Sequence, residues 1–242
     1  WQTNLPNSTV PIYLIEHNYF AGKEIYSTAL ADDPRDIKKY IFFSRAILAG
    51  LKAINFTPNI IHLNDWHTAA VAALLKTDYQ NDKFFKQTKT LYTIHNLANQ
   101  GLAGSKNYMA EGIINSDLIS TVSPTYAKEI LTKEHGAGLE KILTKRKNEL
   151  TGILNGIDTD FFNPATDKLI SQNYSKKTLE KKLGNKLFLQ QKLGLKENKN
   201  TALVGLVTRF VWQKGVELIT EKFSELNCQF VFLGTGEKRY EN

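Results

Sequence analysis

The sequence predicts an α/β protein built on doubly wound, mostly parallel sheet, and three observations carry that prediction. Short apolar runs of strand length, at residues 60–63, 89–94, 118–122 and 202–207, alternate with stretches of helical spacing. Polar residues gather where those runs end: Asn64-Asp65-Trp66-His67, then His95-Asn96, then Thr208-Arg209. An alanine-rich run at 68–76, suited to a helix, follows the first of these polar clusters directly. In an open parallel sheet, ligands bind beyond the carboxyl ends of the strands, so these junctions are also where chemistry is expected.

Each element has its own local reason. Residues 10–15 are apolar and strand-like, closed by the polar turn at His17-Asn18, which makes His17 a loop residue. Asp32 and Asp33 before Pro34 signal a helix start, and Ile37, Tyr40, Ile41, Ile47, Leu48 and Leu51 then fall on one face. Pro58 ends the loop before the strand at 60–63. The strand at 89–94 delivers His95 to Gly101 into a loop. Ser123-Pro124, after the strand at 118–122, reads as a cap and first turn of a helix running through Tyr126, Ile130 and Leu131. Beyond residues 150–154 come the turn-rich stretches Asn155-Gly156-Ile157-Asp158 and Phe161-Phe162-Asn163-Pro164. A long lysine-rich helix is expected over 175–193, a buried strand over 202–207, a helix over 216–226 and a second buried strand over 229–233. The shift in composition divides the chain into a first domain at 1–152, a crossing with the lysine-rich helix at 153–200, and a second strand-rich unit at 201–242. An opening on Trp1 and a close soon after Gly234-Thr235-Gly236-Glu237 read as a segment of a longer protein.

Composition excludes several function classes. The net charge is 31 − 24 = +7, but much of the excess sits in Lys176, Lys177, Lys181, Lys182, Lys186 and Lys192, with Phe188 the one aromatic among them; this is a solvated face, and no nucleic-acid partner is expected. No apolar run reaches the roughly 18 residues of a membrane span. Cys228 is the single cysteine, which precludes an internal disulfide, fits a reducing compartment and reads as a small core residue. Gly234-Thr235-Gly236 lacks the third glycine of a dinucleotide fingerprint, and neither a Walker lysine motif nor a Gly-x-Ser-x-Gly elbow occurs, so no cofactor is expected.

The strand ends offer three candidate chemistries. Arg209 and Lys214 flank a strand-to-helix turn, where an Arg fork, a Lys point charge and a helix N-terminus together favour a phosphate-like anion; two solvated charges are the alternative. His95 with Asn96 can hydrogen-bond a ligand hydroxyl, or can simply be satisfied within its loop. Asp65 lies between His62 and His67, a set that contains metal-ligand types; the spacing speaks against a metal site, because His62 lies within a strand and no cysteine cluster supports it.

The motifs His62-Leu63-Asn64-Asp65-Trp66-His67-Thr68-Ala69, Thr93-Ile94-His95-Asn96-Leu97-Ala98-Asn99-Gln100-Gly101, Thr121-Val122-Ser123-Pro124-Thr125-Tyr126-Ala127, Gly152-Ile153-Leu154-Asn155-Gly156-Ile157-Asp158 and Thr208-Arg209 through Gln213-Lys214-Gly215 occur in this order. In order and style the chain resembles the bacterial and plastid glycogen/starch synthases. The resemblance implies the GT-B fold, two Rossmann-like domains with only part of each in this chain. It implies retaining transfer of glucose from ADP-glucose, with UDP-glucose as the alternative donor, to the non-reducing end of an α-1,4-glucan. By position, Asp65 and His95 are then the catalytic candidates near the donor glucose, Arg209 and Lys214 the pair on the donor diphosphate, and Asn96, Asn155 and Gly234 further sugar or cleft contacts. It implies no required metal, and a cytoplasmic location, or a plastid in a plant or alga.

The sequence also departs from the family pattern. The family's N-terminal Lys-x-Gly-Gly-Leu and C-terminal Glu-Pro-Cys-Gly-Leu motifs have no counterpart, the stretch from Gly101 to Ile119 is short, and Ala98-Asn99 stands where an Ala-Tyr pair is usual. This chain alone is therefore expected to be inactive. Two other readings stay open at this point: a non-catalytic glucan-binding paralogue, and a GT-B transferase with another acceptor.

Overall fold

The computed structural model describes residues 1–22 and 33–241. It divides into two compact units, residues 1–156 and 157–242. The first unit begins with β1 (Gln2–Asn4) and β2 (Pro11–Tyr13), an antiparallel pair with Thr3 opposite Ile12. Helix α1 (Pro34–Ala53) follows. Asp32 lies outside the described residues, while Asp33 is the cap, its carboxylate accepting the Arg35 N–H at 2.8 Å with Pro34 in the first turn. Ile37 and Leu48 of this helix are in the core, and Tyr40, Ile41, Ile47 and Leu51 pack against it, as the helical spacing predicts.

The main sheet is built from β3 (Ile60–Asn64), β4 (Lys89–Ile94), β7 (Leu118–Thr121) and β8 (Leu150–Gly152), all parallel, in that spatial order. Between β3 and β4 runs α2 (Asp65–Lys76), and between β4 and β7 come a two-residue hairpin, β5 (Leu102–Ala103) with β6 (Lys106–Asn107), and α3 (Tyr108–Asn115). Helices α4 (Pro124–Glu129) and α5 (Glu140–Lys145) link β7 to β8. Ser123 caps α4 through its Oγ, which accepts the Tyr126 N–H at 2.9 Å, but the helix stops at Glu129, short of Leu131. Parallel strands joined by helices put one apolar layer against another: Leu63, Tyr92, Ile94 and Ile119 from the sheet meet Val71 and Ala72 of α2 and Met109 and Ile113 of α3.

The second unit differs from expectation in three ways. The lysine-rich helix α6 covers only Lys182–Lys192. Its expected first turns are replaced by a hydroxyl-bonded turn: the Ser175 N–H donates to Thr178 Oγ1 at 3.0 Å, and the Lys177 N–H to Ser175 Oγ at 3.3 Å. Strands β9 (Ala202–Val207) and β10 (Cys228–Leu233) pair in parallel as predicted for adjacent α/β strands, but neither is buried: Val207 is 78% and Leu233 64% exposed. Cys228 is likewise only half-buried, not a core residue. Between them, the helix expected over 216–226 is absent. Gly215 adopts φ 70°, ψ 23°, and Ile219 and Thr220 are extended, so only short 3-10 turns form at Trp212–Lys214, Val216–Leu218 and Glu221–Glu225. The chain ends in a short helix, α7 (Lys238–Glu241).

Candidate functional site

Asp65 follows β3 directly and is the first residue of α2, yet its φ is +52°, a left-handed conformation uncommon outside glycine and tolerated by asparagine and aspartate better than by most residues. What holds it there is visible across the strand ends. The Asp65 carboxylate accepts the backbone N–H of His95 at 2.8 Å and, more weakly, that of Asn96 at 3.4 Å. Asn64, immediately before, is the helix cap by position but makes no capping bond with its side chain. Its Oδ1 instead meets His95 Nε2 at 2.9 Å, and its main chain is secured by Thr68, whose Oγ1 accepts the Asn64 N–H at 2.7 Å and donates to the Asn64 carbonyl at 3.0 Å. Residues Asn64 and Asp65 thus grip His95 by both ring and backbone.

The rest of the loop is fixed residue by residue. The Tyr126 hydroxyl sits beside the Leu97 N–H, and the Ala98 N–H donates to Asn96 Oδ1 at 2.8 Å. Gln100 Nε2 donates to the carbonyls of Leu97 and Ala137, and its Oε1 accepts from Asn107. Gly101 closes the loop at φ +66° against the Trp66 indole, where a Cβ would lie 2.4 Å from a ring carbon. Burial, seconded by the charge of Asp65, pushes the Tyr126 phenol up from its ordinary value, although the Leu97 N–H works the other way. Three motifs widely separated in sequence therefore converge on one loop, whose outer residues His95, Asn96, Ala98 and Asn99 are exposed. Tyr126, Asn64 and Thr68 were not singled out as site residues from the sequence; the signal available was their membership of the same motifs.

The other two polar residues of the first cluster point elsewhere. His62 Nε2 meets Thr93 Oγ1 at 2.6 Å, and Thr93 Oγ1 meets Ser120 Oγ at 2.6 Å, a polar ladder across β3, β4 and β7. His67 lies with its ring stacked on Trp66 at 4.4 Å and edge-on to Tyr40 at 4.5 Å. Burial holds the His67 imidazole below its usual range, Asp65 and Asp36 opposing the effect and Lys39 adding to it. Among the described residues no group of three or more His, Cys, Asp or Glu side chains is arranged to hold a metal ion.

In the second unit Arg209 lies just past β9 and Lys214 ends a 3-10 turn; both are exposed and, among the described residues, neither is ion-paired. The helix N-terminus expected beside them is not formed, so any anion site here rests on the two side chains and the local backbone. The strap that carries Arg209 is zipped onto the segment after β10. Thr208 N–H donates to the Leu233 carbonyl at 3.1 Å and Phe210 N–H to that of Thr235 at 2.8 Å. Gly234 and Gly236 permit this approach, since a Cβ would lie 1.9 Å from the Thr208 oxygen and 2.1 Å from the Phe210 oxygen. Asn155 is exposed in the irregular stretch after β8.

Parallel strands that present polar residues at their carboxyl ends, one set in each unit, match the GT-B class of α/β proteins. The catalytic domain of starch synthase IV from Arabidopsis thaliana, bound to ADP and acarbose, superposes with a TM-score of 0.87 at 34% identity, over 99% of this chain and 54% of that one. The sequence profile of the starch synthase catalytic domain matches residues 1–145, and this chain belongs to that family. The glycogen synthase of Thermosipho africanus is 40% identical over 268 aligned residues, covering 100% of this chain and 54% of the relative. Glycogen synthase 2 of Geobacter sulfurreducens is 40% identical, covering 96% of this chain and 53% of its own length. The chain thus spans about half the length of the curated relatives it matches.

Proposed function

We propose that the protein of this chain is a retaining glycosyltransferase that adds glucose from ADP-glucose to the non-reducing end of an α-1,4-glucan, in glycogen or starch synthesis. The observation that carries the reading is the His95 loop: in a chain of this family, separate strand ends spend their polar groups on holding one exposed histidine and its neighbours in place. Residues 1–152 are the C-terminal part of the first catalytic domain, 153–200 the crossing, and 201–242 the start of the nucleotide-binding domain. Asp65 and His95 serve the donor glucose, Arg209 and Lys214 the diphosphate, and Asn96, Asn155 and Gly234 are further sugar or cleft contacts. The two neighbours named as glycogen synthases, and the starch synthase bound to ADP and acarbose, support this assignment of donor and acceptor. The cytoplasm is the proposed compartment.

The chemistry follows from the leaving group. As the bond from the sugar to the diphosphate breaks, negative charge grows on the phosphate oxygens, and cations already in position lower the barrier by stabilising it. Removing one such group typically costs about 10²–10³ in turnover. The test is ADP release from ADP-glucose by the full-length protein, with and without glycogen. Release that requires glycogen and falls by about that factor in Lys214→Ala is expected; glycogen-independent release, or an unaffected variant, overturns the assignment. Binding of glucan without any turnover would favour the non-catalytic paralogue, and UDP-glucose as the better donor would correct the nucleotide.

A further inference from the structure

We infer that Asn64 is a positioning residue that fixes the tautomer and orientation of His95, leaving His95 Nδ1 as a bare acceptor for a hydroxyl of the sugar; the sugar part of this rests on the transferase reading above. The starting observation is a cap that does not cap. Asparagine is among the preferred residues at a helix start because its side-chain oxygen binds a free backbone N–H. Asn64 occupies that place on α2, extended at φ −129°, ψ 120°, yet spends its side chain on a residue 31 positions away. The next residue, Asp65, is held at φ +52° and gives its carboxylate to the same partner's backbone. Two consecutive local preferences are given up for the geometry of one histidine, which is the pattern of a functional constraint.

The consequence for the ring is a matter of donors and acceptors. An amide oxygen only accepts, so the hydrogen of neutral His95 lies on Nε2, pointing at Asn64 Oδ1, 2.9 Å away. Nδ1 then carries a lone pair and, among the described residues, has no hydrogen-bond partner, on a side chain that is exposed. Water or a sugar O–H can donate to it; a group that only accepts cannot. The anchor is itself secured, because Thr68 Oγ1 bonds both the N–H and the carbonyl of Asn64 and so fixes where Oδ1 sits. Asn64 touches His95 rather than any reacting atom, and its effect is exerted through the ring.

The experiment has one arm on this chain and one on the full-length protein. Long-range proton–nitrogen NMR of the imidazoles, with His95 assigned through a His95→Gln variant, reads the tautomer directly. Wild type is expected to hold a single Nε2–H form, Asn64→Leu to show a mixture, and Asn64→Asp, which keeps an acceptor oxygen, to restore the single form. Because the Asn64 side chain does not cap α2, Asn64→Leu should barely move the urea midpoint, which separates positioning from folding. An Nδ1–H ring in wild type, or a single unchanged form in Asn64→Leu, overturns the inference. In the full-length protein, Asn64→Leu should lower glucosyl turnover about five-fold, the equivalent of one neutral hydrogen bond, with the KM for glucan unchanged and Asn64→Asp near wild type. Altered tautomer with unaltered turnover overturns the link to catalysis. A wild-type protein that transfers no glucose sinks the transferase reading instead, and leaves the tautomer result to stand.

Discussion

Asp65 illustrates how one residue can be recognisable in a sequence while its role is not. Its place between a strand and a helix marks it as a candidate, but only the structure shows a left-handed backbone and a carboxylate already committed to two N–H groups. Two substitutions separate these features. Asp65→Asn keeps one acceptor and tolerates the left-handed conformation, whereas Asp65→Ala does neither, so a loss of about 1.5–3 kcal/mol in urea unfolding is expected for alanine and a much smaller one for asparagine. His67 makes a pH-dependent prediction. Its imidazole titrates below the ordinary histidine range because burial disfavours the cation. The unfolded chain therefore takes up the proton first, and the stability present above the unfolded pKa falls as pH drops through it toward the folded one. The urea midpoint should decline from about pH 7.5 to about pH 5.5, and His67→Phe should remove part of that decline; an equal decline in the variant would place its origin elsewhere.

Elements were legible wherever a local signal was strong and unopposed. The apolar face of α1 and the full extent of β4 and β9 follow from periodicity and run length alone. Helix α3 is not legible from the sequence, because at eight residues with a glycine near its centre it is too short for its apolar face to stand out, and what holds it is tertiary. Gly112 lies where a Cβ would be 2.7 Å from the Tyr92 ring, so α3 packs closer to the sheet than any other residue would permit. At its far end Arg146 donates to the carbonyls of Ile113, Ile114 and Ser116 at 2.8, 2.8 and 2.7 Å, a cap supplied from 30 residues away or more. Arg146→Met should cost about 2–3 kcal/mol by urea unfolding, and Arg146→Lys should recover little of it, since an ammonium cannot fork across three carbonyls. The helix expected over 216–226 failed for the opposite reason: its apolar spacing is adequate, but Gly215 and the extended Ile219-Thr220 pair break it into single turns, and no buried face rewards its formation. The Gly101 contact belongs to this scale as well. Gly101→Ala sets a Cβ into the Trp66 indole at an unfavourable φ, and should displace the His95 loop, read as large chemical-shift changes at Leu97 to Asn99 with α2 still folded.

At the scale of the whole chain, the decisive contrast is in where apolar surface goes. Among the described residues, every fully buried hydrophobic side chain lies between Ile37 and Leu143, and Gln190 is the one fully buried residue of the second unit. That glutamine is held by polar bonds: its Oε1 accepts the Asn198 N–H at 3.1 Å, and its Nε2 donates to Gln229 Oε1 at 2.5 Å, tying α6 to β10. Burial of apolar area is the main favourable term in folding, while hydrogen bonds exchanged with water contribute about 1 kcal/mol each. The first unit therefore owns most of the stability of this chain, and the second is held chiefly by polar contacts and one strand pair. Native-state hydrogen exchange should show this as two levels: amides of β4, β7 and α2 opening only with global unfolding of the first unit, and amides of β9 and β10 opening at much lower free energy. Adding urea should melt the second unit first and leave the His95 loop intact, because Asp65, Asn64, Tyr126 and Gln100 all lie in the first. Uniform protection across both units would mean that the polar network around Gln190 is worth far more than such bonds ordinarily contribute, and Gln190→Leu would then be the substitution to unfold it.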